Sequence, residues 1–112
     1  MKSSMELKDL LKFIKIESER LIKYYGGYPD QEKRILARTV KLTEELGELC
    51  EKILAYNALQ RKEKSKKFSK EKLQEEFADV IITTLLLAEV MNVDLAKALE
   101  KKIKKINKRY KK

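Results

Sequence analysis

Two short stretches hold the residues best suited to chemistry: EELGEL at residues 44–49 and QEEFADV at residues 74–80. Glu45 and Glu48 stand three apart, and so do Glu76 and Asp79. Residues three apart on a helix share a face, with Cβ atoms roughly 5–6 Å from each other. Each stretch therefore presents one acidic pair. Two such pairs turned toward each other repel and resist desolvation, so an inward arrangement demands cations. The donors are all hard oxygens, histidine is absent, and Cys50 is the single cysteine. That set favours Mg²⁺, with Mn²⁺ as the alternative, over zinc or copper. Magnesium is commonly shared with substrate phosphates, and a metal-activated water attacking phosphorus is the chemistry such a site would run. The competing reading is a solvated helix face, the usual fate of an isolated E-x-x-E on a helix rich in lysine and glutamate.

Phase connects these pairs to the elements that must position them. Four amphipathic helices are expected, with no strand signal. The first runs from Ser4 or Met5 to about Tyr25, ended by Gly26 and Gly27. The second covers about Gln31 to Ala58 after an Asp30 cap. Residues 60–68, QRKEKSKKF, read as a loop. Ser69 caps a third helix reaching about Met91, and Asp94 caps a fourth from Leu95 to about Arg109. On the second helix Ile35, Leu42, Leu46, Leu49 and Ile53 mark the core side, widened by Leu36 and Val40. On the third, Leu73, Phe77, Val80 and Ile81 do so. Both acidic pairs border these stripes, so an antiparallel pairing of the two helices would bring them to one groove. Gly47 costs helix propensity and is expected where a neighbouring helix or ligand comes close. The third helix is apolar on several faces, which implies cover from another subunit.

The chain of 112 residues fits one domain or one subunit of an oligomer. Its net charge is +9, and residues 97–112 alone hold nine basic groups against one acidic. Such a helix can meet an anionic ligand. No disulfide can form within the chain, no apolar stretch spans a bilayer, and no signal peptide is legible. A cytoplasmic protein with no membrane partner is the expectation.

KLTEELGELCEKI at residues 41–53, followed by LQEEFADVIITTLLLAEVMNVDLAKAL at residues 73–99, resembles the MazG-like branch of the all-alpha nucleoside triphosphate pyrophosphohydrolases. That family is marked by E-x-x-E, a variable spacer, then E-x-x-D. The resemblance runs from about Leu36 to Tyr110, and the first helix fits the layout without a motif of its own. It implies an all-α, four-helix bundle, with residues 1–112 as one domain assembled as a homodimer or homotetramer. It implies Mg²⁺ held by Glu45, Glu48, Glu76 and Asp79. It also implies hydrolysis of a nucleoside triphosphate at the α–β phosphoanhydride, giving a monophosphate and pyrophosphate. Glu45 or Glu48 would orient the attacking water, and Glu44 and Glu75 would stand behind the ligands. The closing stretch KKIKKINKRYKK resembles the family's basic ending, which makes Lys102, Lys105, Asn107, Arg109 and Tyr110 the implied contacts to phosphate or base. Phe13, Tyr24, Tyr25 and Tyr28 are the aromatics available to a base pocket. The alternative function is a non-enzymatic nucleic-acid-binding or scaffold protein using the basic fourth helix. With no helix-turn-helix spacing or aromatic–basic interleaving, nucleic acid is not the expected partner.

Overall fold

The computed structural model describes residues 4–24, 30–62 and 70–111, with residues 58–62 in backbone only. Four helices follow in order: α1 (Leu7–Tyr24), α2 (Gln31–Lys62), α3 (Lys70–Val90) and α4 (Leu95–Lys108). The protein is all-α; no strand occurs among the described residues. The glycine turn after α1, Tyr25, Tyr28, Ser69 and most of the expected loop over 60–68 lie outside the described residues. The backbone of α2 continues to Lys62, four positions past its expected end at Ala58.

Local signals set the boundaries. Asp9 reaches back to accept from the Glu6 amide at 3.0 Å, closing the first turn of α1. Asp30 Oδ1 accepts from the Glu32 amide at 3.0 Å at the start of α2. Asn92, at φ 57°, takes the left-handed conformation that stops α3. Asp94 then accepts from the Lys97 amide at 3.1 Å and starts α4. On α3 the Thr84 hydroxyl donates to the Val80 carbonyl at 2.8 Å, so its polarity is satisfied within the helix.

α3 is the central element, packing at length against α2 and also against α1. The core is small: Ile14, Leu49 and Leu85 are its buried apolar side chains among the described residues. α4 packs sparsely, and its apolar stripe is left open, with Ile103 56% exposed. The accessible surface is 9697 Å², against about 6,400 Å² expected for a folded monomer of this mass.

The phase of α2 matches the expected one in part. Its inner face carries Ile35, Leu42 and Leu49 as expected, together with Arg38, Glu45 and Lys52, while Leu46, Ile53, Leu36 and Val40 are exposed. Leu36, Val40, Thr43, Gly47, Cys50 and Leu54 form an exposed row on the opposite side, at spacings of four, three, four, three and four. That is the 3.5-residue repeat of a helix–helix seam. On α3, Phe77 and Ile81 are likewise turned outward. Hydrophobic counting assigns Leu36, Val40, Leu46, Ile53, Phe77 and Ile81 to the core because it does not distinguish a face covered by the same chain from a face awaiting other cover. Gly47 fits the same picture: a Cβ there would meet nothing within 4 Å, so no neighbour among the described residues requires a glycine.

Candidate metal centre

Glu45 projects from the inner face of α2, and Glu76 and Asp79 stand one turn apart on α3. The antiparallel packing of the two helices brings one carboxylate oxygen from each residue within 4.8 Å of the others. Glu45 is 8% exposed and Glu76 half-buried, while Asp79 is exposed. The site is therefore open on the Asp79 side and closed toward the helix interface.

The electrostatics are those of an acidic cluster short of positive charge. Glu45 Oε2 and Glu76 Oε2 are both buried with no hydrogen-bond partner. Oxygens left in that state normally cost stability, and buried polar groups are almost always paired. Desolvation raises the pKa of Glu76 above the ordinary carboxylate range, and the charges of Glu48 and Asp79 push it further. Lys52 pulls in the other direction, and Glu45 adds a smaller upward push. Lys41 Nζ lies 3.2 Å from Glu45 Oε1, one turn away on the same helix. The Glu45 hydrogen bond and charge raise the Lys41 pKa in return. A mostly exposed lysine of this kind contributes little energy and leaves the other Glu45 oxygen unpaired. The donor set and its two orphaned oxygens fit a divalent cation, for which carboxylates at this separation are suitable ligands.

The expected site residues are distributed unevenly. Glu45, Glu76 and Asp79 converge. Glu48 is exposed and outside the 4.8 Å group, although its charge acts on Glu76. Glu44 and Glu75 are exposed on the outer flanks. Lys102, Lys105, Asn107, Arg109 and Tyr110 all stand exposed on or just beyond α4, where Asn107 shares a shallow hollow with Lys104, Lys108 and Lys111. α4 does not pack along α2 or α3 as those two helices pack along each other. Phe13 and Tyr24 are also exposed.

A model of the MazG nucleotide pyrophosphohydrolase domain matches residues 33–112. The chain belongs to the MazG family. The match begins inside α2, takes in both acidic stretches and α4, and leaves α1 outside. Membership implies nucleotide pyrophosphohydrolase activity and a nucleotide substrate, and the acidic cluster is consistent with divalent metal binding. No curated protein and no solved structure matches the chain.

One residue that the acidic motif did not flag stands beside this centre. Arg38, two turns before Glu45 on α2, donates from Nη1 to Ser18 Oγ on α1 at 3.0 Å and to the Leu86 carbonyl on α3 at 2.8 Å. Burial lowers its pKa, the Arg34 charge lowers it further, and Glu89 opposes both. A sequence signal existed: Gln31, Arg38, Glu45 and Lys52 recur every seven residues, a polar heptad row on one face.

Proposed function

We propose that this chain is a Mg²⁺-dependent nucleoside triphosphate pyrophosphohydrolase, with Mn²⁺ as a substitute, that splits the α–β phosphoanhydride. The observation that carries the reading is the convergence of Glu45, Glu76 and Asp79, with two buried oxygens unpartnered, inside the region matched to the MazG domain. Glu45, Glu76 and Asp79 would hold the cation, and Glu48 would join them by a rotamer change at the exposed rim. A divalent cation there supplies positive charge to phosphate oxygens and acidity to water. The residues of the chain do the rest. Glu45 or Glu48 orients the attacking water and takes its proton. Water oxygen bonds to the α-phosphorus, the bridging α–β bond breaks, and the electron pair leaves with pyrophosphate.

The whole of residues 1–112 acts as one MazG-like domain in the cytoplasm, α1 included, and works as a homodimer or homotetramer. The uncovered row on α2, the outward Phe77 and Ile81 and the open stripe of α4 support association. The cations of α4 then serve phosphate or base contacts, through Lys102, Lys105, Asn107, Arg109 and Tyr110, in the assembled form. No helix among the described residues is long and apolar enough to cross a membrane.

The test is pyrophosphate release from a panel of standard and damaged nucleoside triphosphates, with and without Mg²⁺, by wild type and Glu48→Gln. Metal-dependent release by wild type, lost in Glu48→Gln with helical content kept, is the expected result. Unchanged turnover removes Glu48 from the site. Absence of turnover across the panel, together with tight duplex binding, would instead favour a nucleic-acid-binding role for the basic helix.

A further inference from the structure

We propose that Arg38 is a positioning residue for the carboxylate centre: it locks the register of α2 against α3 at which Glu45 meets Glu76 and Asp79. This inference rests on the metal-binding reading above.

The inner face of α2 brings Ile35, Leu42 and Leu49 against its neighbours, and apolar contacts of this kind alone tolerate sliding of one helix along another. Hydrogen bonds to fixed backbone carbonyls do not. Two such bonds cross from α2 to α3. Gln31 Nε2 donates to the Val90 carbonyl at 2.9 Å, and Arg38 Nη1 donates to the Leu86 carbonyl at 2.8 Å. The Gln31 tether lies in one antiparallel register with the acidic cluster, and the long Arg38 side chain reaches along α3 to a carbonyl three positions beyond the residue opposite it, Thr83. Fourteen positions on α2, from Gln31 to Glu45, match fourteen on α3, from Val90 to Glu76. Gln31, Arg38 and Glu45 are seven apart, so each successive tether stands about 10.5 Å further along the same face.

Of the two tethers, Arg38 is nearer the centre and anchored more firmly. Its guanidinium also reaches Ser18, which is 3% exposed, through Oγ at 3.0 Å and the carbonyl at 3.5 Å. One rigid fork thus joins α1, α2 and α3, a geometry that the single ammonium of lysine cannot reproduce. The carboxylates of α2 and α3 repel without a cation, so something must hold the two helices together at that end. Slippage by one turn would move Glu45 about 5.4 Å, more than the 4.8 Å span of the whole cluster. A shift of about 1 Å already spoils an octahedral magnesium shell with bonds of about 2.1 Å.

The experiment is Mn²⁺ binding to the metal-free full-length chain by calorimetric titration, with helical content and melting temperature recorded for each variant. Wild type should bind saturably. Arg38→Lys and Arg38→Met, measured cold where they are folded, should bind at least about tenfold more weakly. Ile14→Val, which lowers the melting temperature through the core without touching the tether, should stay within about twofold of wild type. If the Arg38 variants do not fold, Ser18→Ala is read instead, with an expected loss of about threefold. Folded Arg38 variants, or Ser18→Ala in their place, binding within twofold of wild type would overturn the inference while leaving the metal site standing. Failure of wild type to bind Mn²⁺ would overturn the proposed function, and this inference with it.

Discussion

Glu45→Gln should make the metal-free protein more stable while abolishing most of what a cation adds. Glu45 is 8% exposed, and its Oε2 is buried without a partner. An unsatisfied buried group of that kind costs about 1–3 kcal/mol. Glutamine keeps the shape, drops the charge and offers an amide that can donate to Glu76 or Asp79. Against this stands loss of the ion pair to Lys41, whose side chain is 61% exposed. An exposed pair one turn apart is worth about 0.3–0.5 kcal/mol. The net expectation is about 1–2 kcal/mol of added stability, or about 4–8 °C in melting temperature for a chain of this length. Saturating Mg²⁺ or Mn²⁺ at a hundred times its dissociation constant should then add about 2.7 kcal/mol to wild type and little to the variant. Thermal melts followed by circular dichroism, in chelator and in cation, should therefore show the order of the two proteins narrow or reverse. A variant that melts below wild type in chelator would refute the reasoning, because the carboxylate would already be satisfied by the protein. Equal gains from cation in both would remove Glu45 as a ligand.

Three other perturbations separate the remaining ideas. Gly47→Ala adds a methyl into open space and should stabilise the isolated chain by about 1 kcal/mol in chemical denaturation; destabilisation at high protein concentration would place a neighbouring subunit against that position. Because the folded-state pKa of Glu76 is raised, the folded form holds a proton that the unfolded form has released, so metal-free stability should fall as pH rises from the ordinary carboxylate range through that raised value. Glu76→Gln should flatten this slope in a pH series of melts, and wild-type Mn²⁺ affinity should weaken as pH falls through the same window. Asp94→Ala removes the cap on the Lys97 amide and should cost about 1 kcal/mol, read as lost amide protection at the start of α4 by hydrogen exchange.

The four helices, and the starts of α2 and α4, were legible because their causes are local, whereas α2 runs four positions past its expected end. Asp30 and Asp94 cap where a short acceptor precedes an amphipathic run, and each needs only its own next few residues. The partnership of Glu45 with Glu76 and Asp79 was legible for another reason: two acidic pairs on consecutive helices leave few antiparallel arrangements. The phase of α2 was legible only at Ile35, Leu42 and Leu49, not in its outward residues. Leu36, Val40 and Leu54 look like core residues in any count of hydrophobicity, yet Val40 is 61% and Leu54 69% exposed. Arg38 was passed over because a lone arginine on a helix is ordinarily solvated, and its value depends on Ser18 and the Leu86 carbonyl, far away in sequence. Glu48 shares its motif with Glu45 but stands about 60° further round the helix, enough to leave it at the rim.

The divided apolar surface of α2 bears on how the chain folds. A helix that sets Arg38, Glu45 and Lys52 beside Leu42 and Leu49 inside, and leaves Leu36, Val40 and Leu54 outside, gains only part of its apolar burial from collapse within one molecule. On the proposed association, much of its apolar burial comes from an encounter between two chains. Refolding should then contain a second-order phase whose rate rises with protein concentration, and dilution should slow the return of native signal. Until that encounter, Leu36, Val40 and Leu54 face water on a long helix, a window in which wrong partners compete with the right one.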